Sequence, residues 1–343
     1  MNYSVMNYID GILNRVTMYR LVLYYLLGLL GVAFVFGFFK VVPYDPTALA
    51  FSLVVILLVC AATNYVFAWV FKAASNVESI YITALILALI IEPVTAADHA
   101  GVGFLIFASV WASASKFIFA ISKKHVFNPA AFAVVLTAFV IAQPATWWVG
   151  GSMPMMPFVL VGGLLLVRKI KRFDLVGSFV VVGVISTVVT ARVGTDYVQL
   201  IIQTLTHSPM LFLGFVMLTE PLTTPPSAPQ RVVYGAIVGF FASPFIHFGG
   251  FYFTPELALL VGNVFSFVVS PQGRHVLVLT AIEKKANDVF DFVFSFDRPF
   301  SFRPGQYMEW TLGHKFPDNR GNRRYFTIAS APTEPEVRLG VKF

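Results

Sequence analysis

From residue 18 to residue 270 the chain is a series of long apolar runs separated by short polar stretches. Beyond Ser270 the runs stop, and apolar and polar residues alternate. A bilayer crossing takes about 20 mostly apolar residues, fewer where a broken helix is covered by its neighbours. That rule predicts ten membrane helices, over 18–39, 47–71, 79–92, 100–122, 129–148, 155–168, 174–192, 198–219, 231–248 and 254–270. The third and sixth are short and need protein around them to span. The stretch "HVLVLTAIEKKANDVFDFVFSFDRPFSFRPGQYMEWTLG" has the two-residue period of strands instead, with turns at "KKAND" and "RPGQ". The expected architecture is a ten-helix transmembrane domain over 1–270, then a small antiparallel β-barrel over 271–343. The last strand, "EVRLGVKF", runs to the final residue, so the barrel is expected to be incomplete.

Charge gives the helices a direction. With the N-terminus inside, the inner loops hold Lys72, Lys123, Lys124, Arg168, Lys169, Lys171, Arg172 and Arg231, and Arg274 follows the last helix. The outer loops hold Lys40, Asp45, Asp98, Arg192 and Asp196. Basic residues gather on one side, as the positive-inside rule requires. An error of one helix would break the alternation. Both termini are therefore expected in the cytoplasm of a bacterial-type inner membrane.

Composition agrees. Of 343 residues 57% are hydrophobic and 12% charged, against about 25% charged in soluble domains, and the mean hydropathy is +0.78. The net charge of +7 flanks apolar segments and gives no sign of a nucleic-acid partner. Cys60 is the only cysteine, which excludes disulfide frameworks and Cys-held zinc or iron–sulfur clusters carried by this chain alone. The N-terminus has no cleavage site after a short apolar core, so the first helix is read as retained.

Two stretches echo each other. "ALILALIIEPVTA" (84–96) and "LFLGFVMLTEPLTT" (211–224) both end an apolar run in Glu-Pro followed by an aliphatic residue and Thr. They fall on the third and eighth predicted helices, which cross in opposite directions. Five helices followed by five inverted ones is a transport-type plan, with sites where broken helices meet. Proline also ends helices for purely local reasons, but finding both copies at equivalent helices favours a repeat. Glu92 and Glu220 are thus candidate flavin-site or ion-site residues. Lys116 would either snorkel to the headgroups or meet a flavin phosphate or substrate. Asn64 and Asn263 suit interhelical hydrogen bonds, and Trp147 and Trp148 an interfacial aromatic belt.

In the C-terminal part, "RPGQY" is followed about twenty residues later by Arg324, Tyr325, Phe326 and Thr327. This pair of motifs resembles the FAD-binding barrel of the ferredoxin–NADP reductase family. The resemblance implies Arg324 on the FAD pyrophosphate, where a guanidinium pairs by forked hydrogen bonds, and Phe326 stacked on the isoalloxazine. Thr327, with the neighbouring Ile328 and Ser330, would line the ring edge, and Tyr325 completes the cofactor-binding set. That family usually continues into a nicotinamide-binding domain. No Gly-rich dinucleotide turn follows residue 271, so an NAD(P)H donor is an expectation about residues outside this chain.

The membrane part resembles the flavin-carrying membrane subunits of the sodium-translocating NADH:quinone reductase and of the Rnf electron-transport complex. "FNPAA" (127–131) and "TEPLT" (219–223) carry the likeness. It implies ten helices in two inverted repeats, flavin on an electron path, partner subunits, and Asn128 beside the site. In that family a Thr ten residues before the acidic-Pro pair is esterified to FMN. Here that position is Met210, within "HSPM" (207–210), so any flavin in the bundle, FMN or riboflavin, is expected to be noncovalent. Haem is excluded: two stacked haems need paired axial ligands, and His99, His125, His207 and His247 stand singly near segment ends. The sequence therefore reads as an oxidoreductase subunit passing electrons from reduced nicotinamide through FAD to a membrane flavin. Two other readings stay open: a small-solute or cation transporter with a regulatory barrel, and a membrane anchor for purely cytoplasmic redox chemistry. No metal site and no catalytic residue is assigned.

Overall fold

The structure, a computed structural model, describes residues 5–73, 77–121, 124–270, 275–297, 301–311 and 323–342. Lys123 and Arg274, two of the charges assigned to the inner side, lie outside the described residues. By its contacts the chain divides into a helical unit ending at Ser270 and a strand unit beyond it.

The helical unit opens with α1 (Val5–Leu13), a short helix ahead of the first apolar run. Its Asp10 accepts two hydrogen bonds from Arg168, at 2.7 and 2.8 Å. Then come α2 (Met18–Phe38), α3 (Pro46–Val70), α4 (Val77–Ile90) and α5 (His99–Ile118). A two-residue hairpin follows, β1 (Ala120–Ile121) with β2 (Lys124–His125), and then α6 (Pro129–Val140). The same order recurs. It runs through α7 (Met156–Ile170), α8 (Phe173–Thr190) and α9 (Tyr197–Thr206), with α9 bent by 52° from the Met210–Met217 stretch. In that stretch α10 (Met210–Phe212) passes into a π-helical turn (Leu213–Met217). Next are α11 (Ala228–Phe241), a second two-residue hairpin, β3 (His247–Phe248) with β4 (Phe251–Tyr252), and α12 (Pro255–Val269). Packing repeats as well: α3 lies against α5 and α5 against α6, as α8 lies against α11 and α11 against α12.

Among the described residues four helices, α2, α3, α5 and α8, are long and apolar enough to cross a membrane. The bent α9 pair makes a fifth when taken as one span, and α4, α6 and α12 are shorter apolar helices. The expected boundaries moved where polar chemistry intervened. The fourth segment stops at Ile118, and Ala120 and Ile121 pair instead with His125 and Lys124. The fifth stops at Val140, leaving 141–155 as irregular chain that dives into the bundle.

Glycine sets the closest crossing. A Cβ on Gly239 of α11 would overlap the carbonyl oxygen of Phe179 on α8, so these two backbones nearly touch. Small residues are the usual means of such contact within a bilayer.

In the strand unit β5 (Leu277–Ala286), β6 (Val289–Phe296) and β9 (Val337–Lys342) form an antiparallel sheet in the order β5-β6-β9. A second pair joins β7 (Tyr307–Thr311) to β8 (Arg323–Thr327). The turn expected at "RPGQ" is present: Gln306 N donates to Arg303 O at 3.1 Å, and Gly305 has φ +85°. A positive φ at the third position is the type II geometry that favours glycine. Trp310, Ile328, Val337 and Leu339 form the buried centre, with Phe292, Phe294, Met308 and Phe326 against it.

Candidate functional site

The two Glu-Pro pairs end short or bent helices inside the bundle, and each break must satisfy its carbonyls without water. At the first break, residues 146–149 supply the donors. Trp147 N and the Thr146 hydroxyl donate to Ile90 O at 2.8 and 3.3 Å, and the Trp148 indole N–H donates to Ala88 O at 3.1 Å. At the second, the Thr224 hydroxyl donates to Leu218 O at 3.1 Å and Glu220 O at 2.6 Å.

This overturns one expectation. Trp147 and Trp148 are 4% and 6% exposed and belong to the interior, not to an interfacial belt. Trp147 takes a left-handed backbone, φ +53°, which a bulky residue accepts only where its surroundings require it. Its indole N–H donates to Glu256 Oε2 at 3.0 Å. Glu256, 1% exposed in the first turn of α12, is a buried acid that sequence reasoning passed over. The signal available was a carboxylate two residues after the capping Thr254.

Around Glu220 the structure gathers residues far apart in the chain. His125 Nε2 lies 2.8 Å from Glu220 Oε1, and Asn128 Nδ2 donates to Oε2 at 2.9 Å. Asn128 is the N-cap of α6, its Oδ1 accepting from Ala131 N at 3.1 Å. Its own backbone N–H donates to Asn263 Oδ1 at 2.8 Å, and Asn263 Nδ2 donates to the Tyr234 hydroxyl at 2.9 Å. Five side chains from β2, α6, the Glu-Pro loop, α11 and α12 thus form one connected, mostly buried network. Asn128 and Glu220 were expected at a site and Asn263 in interhelical hydrogen bonds, and the structure joins all three. His125 was read only as a lone histidine, because nothing local links it to a residue 95 positions on.

Lys116 sits in the last turn of α5 and does not snorkel. Its ammonium donates to Ser79 O at 2.9 Å and Ser79 Oγ at 3.1 Å, within electrostatic reach of Glu220. Glu92 is not part of this network: it is exposed, with Tyr44 the titratable group near it.

A cavity of about 270 Å³ opens at the bend between α9 and α10, where Thr204, Ser208, Met210 and Leu213 face Phe253 and Pro255. It lies just under the roughly 300–1,000 Å³ usual for small-molecule sites. The lining hydroxyls of Thr204 and Ser208 donate to backbone carbonyls, Leu200 O and Thr204 O, and Ser208 Oγ also accepts from Met210 N at 3.1 Å.

In the strand unit, Phe326 pairs with Met308 and packs against the core, half-buried, while Thr327 is exposed opposite Tyr307. Ile328 is buried, its N–H bonded to Gln306 O at 3.0 Å. Ser330 is buried too, its hydroxyl accepting from Arg338 N at 3.2 Å. Both serve the local fold. Arg324 and Tyr325 stand opposite Trp310 and Glu309 in the ladder; their side chains lie outside the described residues. Thr327 is thus accessible, and Phe326 shows only the part of its ring that the core leaves uncovered.

The fold and these sites define a multi-span helical membrane protein with a separate antiparallel strand unit. Residues 149–272 match the family model described as NQR2, RnfD, RnfE family, which supports a membrane subunit of that kind. The matched stretch holds the cavity, Glu220, Tyr234, Glu256 and Asn263. No curated protein matches the chain.

Proposed function

We propose that the chain is the membrane subunit of an electron-transport complex of the NQR and Rnf type, an oxidoreductase subunit of a bacterial-type inner membrane. In this reading α2–α6 and α7–α12 are inverted repeats making ten spans, with both termini cytoplasmic. The repeated order of helices, each half closing on a hairpin and an Xaa-Pro helix, supports that plan. One observation carries the functional reading: the family match covers the cavity and Glu220, Tyr234 and Asn263, the second-half members of the network.

A reduced nicotinamide, bound by residues or partners beyond this chain, would supply electrons to FAD on the strand unit. Arg324, Tyr325, Phe326 and Thr327 would hold that FAD, with Thr327 at the ring edge. A second flavin, FMN or riboflavin, would seat its ring in the cavity by Met210, noncovalently, since a thioether cannot carry a phosphoester. Flavins accept electrons in pairs and release them singly, which is the chemistry such a relay needs. Glu220, Asn128 and Lys116 would handle the charge that accompanies electron flow, with Glu92 the first-half counterpart of Glu220. Partner subunits and the surrounding lipid complete the path.

The test is flavin content of the full chain, purified in detergent. The proposal expects a flavin absorbance that acid precipitation releases entirely into the supernatant. A colourless protein overturns it. The same buried network favours one second reading, a bundle that moves a small solute or cation with the strand unit regulating it. Uptake into proteoliposomes by a flavin-free protein would establish that alternative.

A further inference from the structure

The network around Glu220 has a donor pattern that narrows what it handles. Both carboxylate oxygens face N–H groups or a hydroxyl: Oε1 the imidazole Nε2 of His125 at 2.8 Å, Oε2 the Asn128 amide at 2.9 Å and Thr223 Oγ1 at 3.5 Å. The amide cannot turn over to present its oxygen, because Asn128 Oδ1 is committed to Ala131 N as the cap of α6. Asn263 shows the network its oxygen, but that atom is taken by Asn128 N. Hard cations need about six oxygen ligands. Here the carboxylate is ringed by donors, and among the described residues no third His, Cys, Asp or Glu joins His125 and Glu220.

From this arrangement we propose that the ion taken up at Glu220 is a proton, shared with His125, and not a metal ion. This rests on the electron-transport reading and specifies its coupling ion. In the deprotonated state His125 Nε2–H donates to the Glu220 carboxylate. One proton added to the pair gives either an imidazolium facing a carboxylate or a carboxylic acid donating to neutral imidazole. In both, the 2.8 Å contact persists and Asn128 still donates to Oε2. Uptake and release therefore change the charge of the pair by one without dismantling the junction between the first half (His125, Asn128) and the second (Glu220, Asn263). Among the described residues, the other charged or titratable groups within electrostatic reach of the pair are Lys116 from α5 and Tyr234 from α11, and neither lies between His125 and Glu220.

Infrared difference spectroscopy of the full-length protein in detergent, titrated with acid, reads the carboxylic C=O stretch directly. A band that appears on acidification and is missing in Glu220→Gln is expected. In His125→Leu its midpoint should rise by about one pH unit, a tenfold change in proton affinity, because the carboxylate has lost a donor. Replacing choline with sodium at constant ionic strength should leave the midpoint in place. A downward shift with sodium, or a band that survives in Glu220→Gln, overturns the proposal, as does a wild type in which acidification raises neither a carboxylic C=O band nor the ring modes of an imidazolium. Glu220→Asp keeps a carboxyl at the position and should keep a band, which covers the case in which the Gln variant does not fold. Flavin absorbance is read on the same samples, so loss of the flavin reading is seen separately from loss of the proton site.

Discussion

The indole N–H of Trp147 meets the Glu256 carboxylate at 3.0 Å in the interior of the bundle, tying the chain between α6 and α7 to the first turn of α12. Trp147→Phe keeps most of the ring volume and removes the donor, leaving a buried acceptor short of a partner. The expected loss is about 1–3 kcal/mol, read as a lower thermal midpoint in detergent. Glu256→Gln retains an acceptor oxygen and should cost less. In the double variant the second change should cost less than it does alone, which a double-mutant cycle measures.

Asn128→Asp preserves the cap of α6, since Oδ1 remains an acceptor, but sets a second carboxylate against Glu220 in place of a donated N–H. Like charges at that range disfavour double ionisation. The variant should therefore be less stable than the wild type at about pH 8, and the gap should close as pH falls and one acid takes a proton. Melting midpoints at about pH 8 and about pH 5.5 test the sign: a gap that widens on acidification contradicts it.

Much of this arrangement could be read from the sequence, and the missing parts share a cause. Proline after Glu92 and Glu220 marked both helix breaks, and Asn128 before Pro129 marked a helix start, because capping chemistry is local. The alternating strands and the turn at Gly305 were legible for the same reason. His125, Glu256 and the two buried tryptophans were not. Inside an all-apolar bundle the hydrophobic pattern no longer says which face looks inward, and a polar residue's partner can lie far along the chain. The hairpin over 120–125 was hidden because Phe119, Ala120 and Ile121 extend an apolar run without a break in composition.

Gly239→Ala tests the crossing of α8 and α11. The added methyl would press on the backbone carbonyl of Phe179, which cannot rotate aside as a side chain could. Overpacking of this kind costs about 1–3 kcal/mol, and a drop in thermal midpoint checks it. Gly28, which has open space around its Cβ position, serves as the control: Gly28→Ala should be neutral or mildly stabilising.

The strand unit carries a pH dependence of its own. Lys285, at 2.7 Å, and Arg338, at 3.1 Å, hold the Glu283 carboxyl below its usual range. A lowered folded-state value means that this contribution is complete above the unfolded value, about 4.3, and fades as pH falls through the folded one. Glu283→Gln should therefore leave the strand unit's stability less sensitive to acidification between about pH 5 and about pH 3, while changing it little at low pH. Trp310 fluorescence during thermal unfolding at several pH values gives the comparison.

The Leu213–Met217 turn, where Leu218 N bonds back to Leu213 O at 2.9 Å, holds one residue more than an ordinary helix would in the same length. That surplus residue sets the angle at which everything downstream emerges. Deleting a position within it would close the turn to ordinary pitch and leave the downstream chain in place, whereas a deletion in the helix outside it would swing that chain by about 100° and carry the Glu220 carboxylate away from the imidazole it now faces. The proton site would be lost through helical phase alone, with every one of its side chains still in the chain.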